Sequence, residues 1–177
     1  MKRRLFCGIL ATILLGLTGC AGSLPAGDSG SIALVPFFDR DLGIGGVVPV
    51  TCSESAPGNF ECPSLAADGG MAVIVQQAYP GPRDELVDLV LSQVSLEQLP
   101  EAGGHYRGRA FNWDLYSLEV QVKDAGPDAM HVELALAEGD ATSYFVALVT
   151  PPEVYEAHPA LFETVFGHAV YGLVPWE

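Results

Sequence analysis

Apolar and polar positions alternate along this chain in three rhythms, and each predicts a different kind of element. Met130, Val132, Leu134 and Leu136 alternate with His131, Glu133, Ala135 and Ala137, the period-2 pattern of a strand. Met71–Gln77 and Thr142–Val149 are nearly continuous apolar runs rich in β-branched residues, as in strands covered on both faces. Leu86, Val87, Leu89, Val90 and Val94 recur at helical spacing, with Asp84 and Glu85 in the first turn, and predict a helix from Arg83 to about Ser95. Leu161, Phe162, Val165, Phe166 and Val170 predict the buried stripe of a second helical stretch ending near Gly172. It starts at Pro151, behind a Thr150-Pro151-Pro152-Glu153 capping box, and Pro159 interrupts it.

Turn signals fill in the rest. Ile32–Phe38 and Leu42–Pro49 are short extended pieces broken by Gly and Pro. Turns fall at Ala56-Pro57-Gly58-Asn59, at 124–128 and at Glu138-Gly139-Asp140, and Leu96–Gly104 is a loop. The segment from His105 to Thr150 therefore reads as an antiparallel meander. The predicted fold class is α+β: an antiparallel β-sheet with helices packed on it, in a single domain spanning 32–177.

The chain's first apolar run is of another kind. Lys2, Arg3 and Arg4 precede Leu5–Leu17, which is too short to span a bilayer, and Leu17-Thr18-Gly19-Cys20 follows. Residues 1–19 are read as an export signal. The last four positions resemble the lipobox of bacterial lipoproteins. That resemblance implies cleavage before Cys20 and a diacylglyceryl group on its thiol, two chains that anchor firmly in a membrane. Residues 20–31 become the lipidated cysteine and a Gly/Ser-rich tether. With Ala21 after the cysteine, a cell with two membranes is expected to carry the protein on the outer one, facing the periplasm.

Charge narrows the partners. The signal holds three of the eight basic residues and none of the 22 acidic ones. The remainder therefore keeps five basic against 22 acidic residues, a formal charge of −17, with the acids scattered and not clustered. Such a surface argues against nucleic acid and against electrostatic adhesion to anionic lipid. Cys52 and Cys62, exported to an oxidising compartment, are expected to form a disulfide; their spacing and the absence of a nearby histidine do not suit zinc.

Several packing stretches carry a wider resemblance: Phe37–Pro49, Gln76-Gln77-Ala78, Trp113–Tyr116, Leu134–Glu138, Tyr144-Phe145-Val146 and Val165-Phe166 with Val170, Leu173 and Pro175. Together they are similar to a bacterial exported domain sometimes found beside serine hydrolases. Its element order resembles the PsbP-like sandwich shared by the photosystem II extrinsic protein and a Ran-binding import factor. The resemblance implies a binding role rather than catalysis, by analogy of fold alone.

The candidate chemistry is sparse. Neither Gly-x-Ser-x-Gly nor Ser-x-x-Lys occurs, and Gly27-Asp28-Ser29-Gly30 lies in the tether with no domain before it. His105, His131, His158 and His168 make no metal-binding pattern, and Asp39, Asp41, Asp124 and Asp128 are read as turn residues, so no metal or cofactor is expected. Tyr106, Arg107, Arg109, Trp113 and Tyr116 form an aromatic-basic cluster that would make a partner or ligand patch if the strands pair with them on one face. The alternative is that Trp113 and Tyr116 pack the core. The expected function is a membrane-anchored, non-catalytic accessory module for another envelope protein. A small-molecule or lipid-binding lipoprotein is the second reading, and a hydrolase-associated enzyme the third.

Overall fold

The computed structural model describes residues 33–39, 44–62, 72–108, 111–139 and 141–172; the predicted signal, Cys20, the tether, Asp41 and Arg109 lie outside them. In chain order the elements begin with strands β1 (Leu34–Asp39), β2 (Ile44–Pro49), β3 (Ser53–Ala56), β4 (Asn59–Cys62) and β5 (Ala72–Tyr79). Helix α1 (Arg83–Leu91) follows, then strands β6 (Gly104–Arg107), β7 (Asn112–Gln121), β8 (Ala129–Glu138) and β9 (Ser143–Thr150). Helices α2 (Pro152–Ala157) and α3 (Pro159–Gly172) come last. Strands β1 and β2 pair as a separate hairpin, and the others form one sheet in the order β3-β4-β5-β9-β8-β7-β6. All its pairings are antiparallel. The chain has the α+β architecture its patterning predicts.

Because successive side chains alternate, every strand offers one set of residues to each face of the sheet. On one face Tyr116, Leu118 and Val120 of β7 join Val132, Leu134 and Leu136 of β8, and α1 buries Leu86 among them. On the other, Phe60, Ile74 and Leu148 meet Val154 of α2, Phe162 and Val165 of α3, and Val48 of β2. Farther along that second face, Trp113, Ala135 and Val146 receive Ala169 and Val170 of α3. Strand β9 reads as apolar throughout because both of its faces are covered. Strand β7 alternates because the helices do not cover Ser117 and Glu119. Small residues set the spacing of this interface: a Cβ on Gly46 would lie 3.4 Å from Ala169 Cα.

Two predicted boundaries move. Helix α1 stops at Leu91, and Val94 forms a β-bridge with Val122 while the Ser95 N–H donates to Gln121 O. The apolar position that continues the helical pattern thus pins the following loop to the end of β7. Thr150 does not cap a helix. It is held in the β9 ladder opposite His131, Pro151 takes the cap position, and α2 begins at Pro152 without a side-chain cap. The buried Thr150 hydroxyl has no hydrogen-bond partner among the described residues. Pro159 does divide the two helices, with His158 at φ −138° between them.

Cys52 and Cys62 are joined, closing the base of the β3–β4 hairpin. At its tip, Pro57 presets the first turn position and Gly58 supplies the second at φ 74°. The Gln77 side-chain amide donates to Pro57 O at 3.1 Å and ties the tip to β5. Replacing both cysteines with alanine is expected to lower the unfolding free energy by about 2.5–3 kcal/mol, the chain-entropy value for a loop of this length. Urea unfolding measures it; an unmoved midpoint would mean that the ladder and Gln77 alone hold the hairpin.

Candidate functional site

The β6–β7 register sets Tyr106 opposite Trp113 and Arg107 opposite Asn112. Tyr106 and Trp113 therefore share the α3 face, and Arg107, one position on, belongs to the other. Trp113 is only 1% exposed, and Phe111 meets its ring edge-on at 6.0 Å. A Cβ on Gly108 would lie 2.9 Å from the indole nitrogen, so glycine lets the β6–β7 loop close over the ring. Tyr116 is three positions further along the same strand, which puts it on the α1 face, buried. There its hydroxyl accepts a hydrogen bond from Arg83 Nη2 at 3.1 Å. Arg83 is also ion-paired with Asp114, whose other carboxylate oxygen lies 2.7 Å from His105 Nδ1.

Of the five predicted patch residues, the structure brings Tyr106 to Trp113 but brings neither Arg107 nor Tyr116 to them. Arg109 lies outside the described residues. The aromatic-basic contact that does form joins Tyr116 to Arg83, a residue the sequence marks only as a helix start. Asp124 takes a positive φ of 65° in the β7–β8 turn, a conformation aspartate tolerates, in keeping with a turn role.

On the α3 face, the helix and the β6–β7 edge leave an open trough of about 470 Å³ between them. Tyr106 and Leu115 line its sheet side. Glu163, Phe166, Gly167 and Val170 line the helix side, at positions three, four and seven apart that stack on one helical face. Of these four, the sequence pattern marks only Phe166 and Val170, as part of a buried stripe, and nothing in it marks Glu163 or Gly167.

Farther along the same face lies a polar cluster. Ser117 Oγ donates to Glu133 Oε1 at 2.9 Å, and His131 Nε2 lies 2.9 Å from the same oxygen, where it donates when that nitrogen carries the proton. The Tyr155 ring stacks on His131 with centroids 3.8 Å apart, and the Phe162 ring lies nearly parallel to it at 5.8 Å. Burial, then the nearby carboxylates of Glu133 and Glu163 and a hydrogen bond to Glu133, raises the Tyr155 phenol above its ordinary 10.0. The folded state thus holds this proton more tightly than the unfolded chain does. The stabilisation is fully present below pH 10 and is lost as pH rises through the folded value. Tyr155→Phe is expected to flatten that alkaline loss and, by removing a hydrogen bond, to cost about 1 kcal/mol at neutral pH. Unfolding midpoints between pH 8 and 11.5 (about the range where a tyrosine titrates) check this; identical slopes for both proteins would refute it.

Among the described residues, no three His, Cys, Asp or Glu side chains gather as a metal-holding set, and no helix is long and apolar enough to cross a membrane. No family model matches the chain, and no curated protein matches it. The chain is similar to the solution structure of cyanobacterial PsbP (CyanoP) from Synechocystis sp. PCC 6803. The similarity covers 86% of this chain and 98% of that one, at 16% identity and a TM-score of 0.47. So distant a likeness assigns no site, partner or activity. The fold class rests on the sheet and helices themselves, and the Cys52–Cys62 bond is of a kind that persists in oxidising compartments.

Proposed function

We propose that this chain is an exported, lipid-anchored lipoprotein acting as a non-catalytic binding module for another protein of the cell envelope. The observation that carries the binding role is the open, largely apolar trough between α3 and the β6–β7 edge. A concave, mostly apolar surface with a few polar groups is the usual form of a binding site. The polar cluster supports a role without chemistry of its own. Ser117 gives its proton to Glu133 and not to His131, so hydroxyl and imidazole are not paired as nucleophile and base. Export and anchoring are supported by Leu17-Thr18-Gly19-Cys20 and by the disulfide.

The test is cross-linking of the full-length lipoprotein in its own cells, followed by purification and mass spectrometry. One dominant envelope protein in stoichiometric yield is the expected result; a monomer with no enriched partner would refute the proposal. The second reading, a small molecule or lipid in the same trough, is favoured by a volume within the roughly 300–1,000 Å³ typical of ligand sites. Bound extra mass in native mass spectrometry would select it.

A further inference from the structure

We infer that the trough receives an apolar segment of the partner protein that carries a lysine or arginine, with the basic side chain against Glu163 and the segment's backbone over Gly167. The inference deepens the binding-module reading and depends on it.

Gly167 supplies the first argument. It sits inside a 14-residue helix, where glycine is about 0.8–1 kcal/mol less favourable than alanine. Among the described residues nothing lies within 4 Å of the point where its Cβ would be, so no close packing against them calls for glycine there. The missing side chain bares helix backbone inside the trough, where a second backbone can approach closely. Openness is the second argument. A drug-sized molecule normally has about 70–90% of its surface buried, which a trough open to solvent does not provide, whereas a segment of a larger partner brings its own cover. Charge is the third. Glu163 carries the only formal charge among the lining residues when histidine is neutral, it is exposed, and it has no ion-pair partner among the described residues. On a chain that keeps five basic against 22 acidic residues once the signal is removed, a basic segment is drawn in and an acidic one repelled.

Photo-cross-linking in cells tests this. A benzoylphenylalanine is placed in the full-length protein at Thr164 on the trough, and as a control at the exposed Asp88 of α1, on the opposite face of the sheet. The expected result is an adduct from position 164 whose mapped peptide is apolar and contains lysine or arginine. Glu163→Lys is expected to reduce its yield about tenfold or more, by like-charge repulsion. Gly167→Leu, which places bulk in open space, is expected to do the same without lowering the urea midpoint, and Gly167→Ala to unfold at equal or higher urea. An adduct on an acidic or uncharged segment, an adduct indifferent to Glu163→Lys, or attachment to a small molecule or lipid would overturn the inference. Adducts from position 88 alone would overturn it while leaving the binding-module reading intact. No protein adduct from either position, together with no chemically cross-linked partner, would overturn both.

Discussion

Trp113→Ala is expected to lower the unfolding free energy by about 3–5 kcal/mol, the range for removing a fully buried large aromatic. Trp113 is 1% exposed and is the keystone of the cluster formed by Ala135, Ala137, Val146, Ala169 and Val170. The residues around it are mostly small, so they cannot extend into the space it leaves, and the cavity term stays large. Removing it also takes away the surface on which the C-terminal half of α3 rests, and β6 loses its cross-strand partner for Tyr106. Against a usual total of about 5–15 kcal/mol, the variant is left marginal. Urea unfolding with the m-value monitored is the measurement. A loss under about 1 kcal/mol would show that α3 is held chiefly by its contacts with the β1–β2 hairpin.

Cys20→Ser is expected to abolish acylation of the protein altogether. A lipid on Cys20 requires the thiol, since the proposed chemistry forms a thioether that a hydroxyl does not replace. Wild-type protein labelled with a fatty-acid analogue is expected to carry it and to begin at Cys20, whereas the serine variant carries none. Two acyl chains hold a protein in a bilayer where one gives only reversible binding, near 10⁴ M⁻¹ for about fourteen carbons. A version with an ordinary cleavable signal in place of residues 1–20 is therefore expected to pass from the membrane fraction to the soluble exported fraction. Label on the serine variant, or a wild-type mature terminus elsewhere, would dispose of the anchor.

The architecture was legible because period is a strong signal. The alternation across Met130–Ala137 and the run before Thr150 each name a strand; only the second tells how many faces are covered, since β8 is also buried on its alternate face, where the small Ala135 and Ala137 lie in the Trp113 cluster. The site was less legible, for a reason that parity explains. Trp113 and Tyr116 are close in sequence, but an odd separation in a strand places them on opposite faces, as it does Tyr106 and Arg107. Nearness along the chain suggested a patch that alternation divides. His131 and Glu133, two apart, share a face for the same reason. Their meeting with Ser117 needed the β7–β8 register, and their meeting with Tyr155 needed α2 to start straight after Thr150, the β9 residue opposite His131; neither is written in any local pattern. Arg83 was hidden in the same way, since its partners Asp114 and Tyr116 lie on a strand some thirty residues later.

Strand β9 is the last of the described strands in the sequence and the middle one in the sheet. Val73, paired with Glu61 on its β4 side, finds its partner on the other side only at Val149, and Leu134 finds Ala147 on the opposite edge of that same strand. A chain that crosses a membrane from its N-terminus therefore emerges with both halves of its sheet waiting for the strand that joins them. Closing so long a loop is slow, and native topologies dominated by distant pairings fold slowly as a class. If the anchor forms at Cys20 as proposed, attachment comes first and folding second. For that interval the molecule is an unfinished sheet tethered at a membrane, with open strand edges of the kind that chaperones guard.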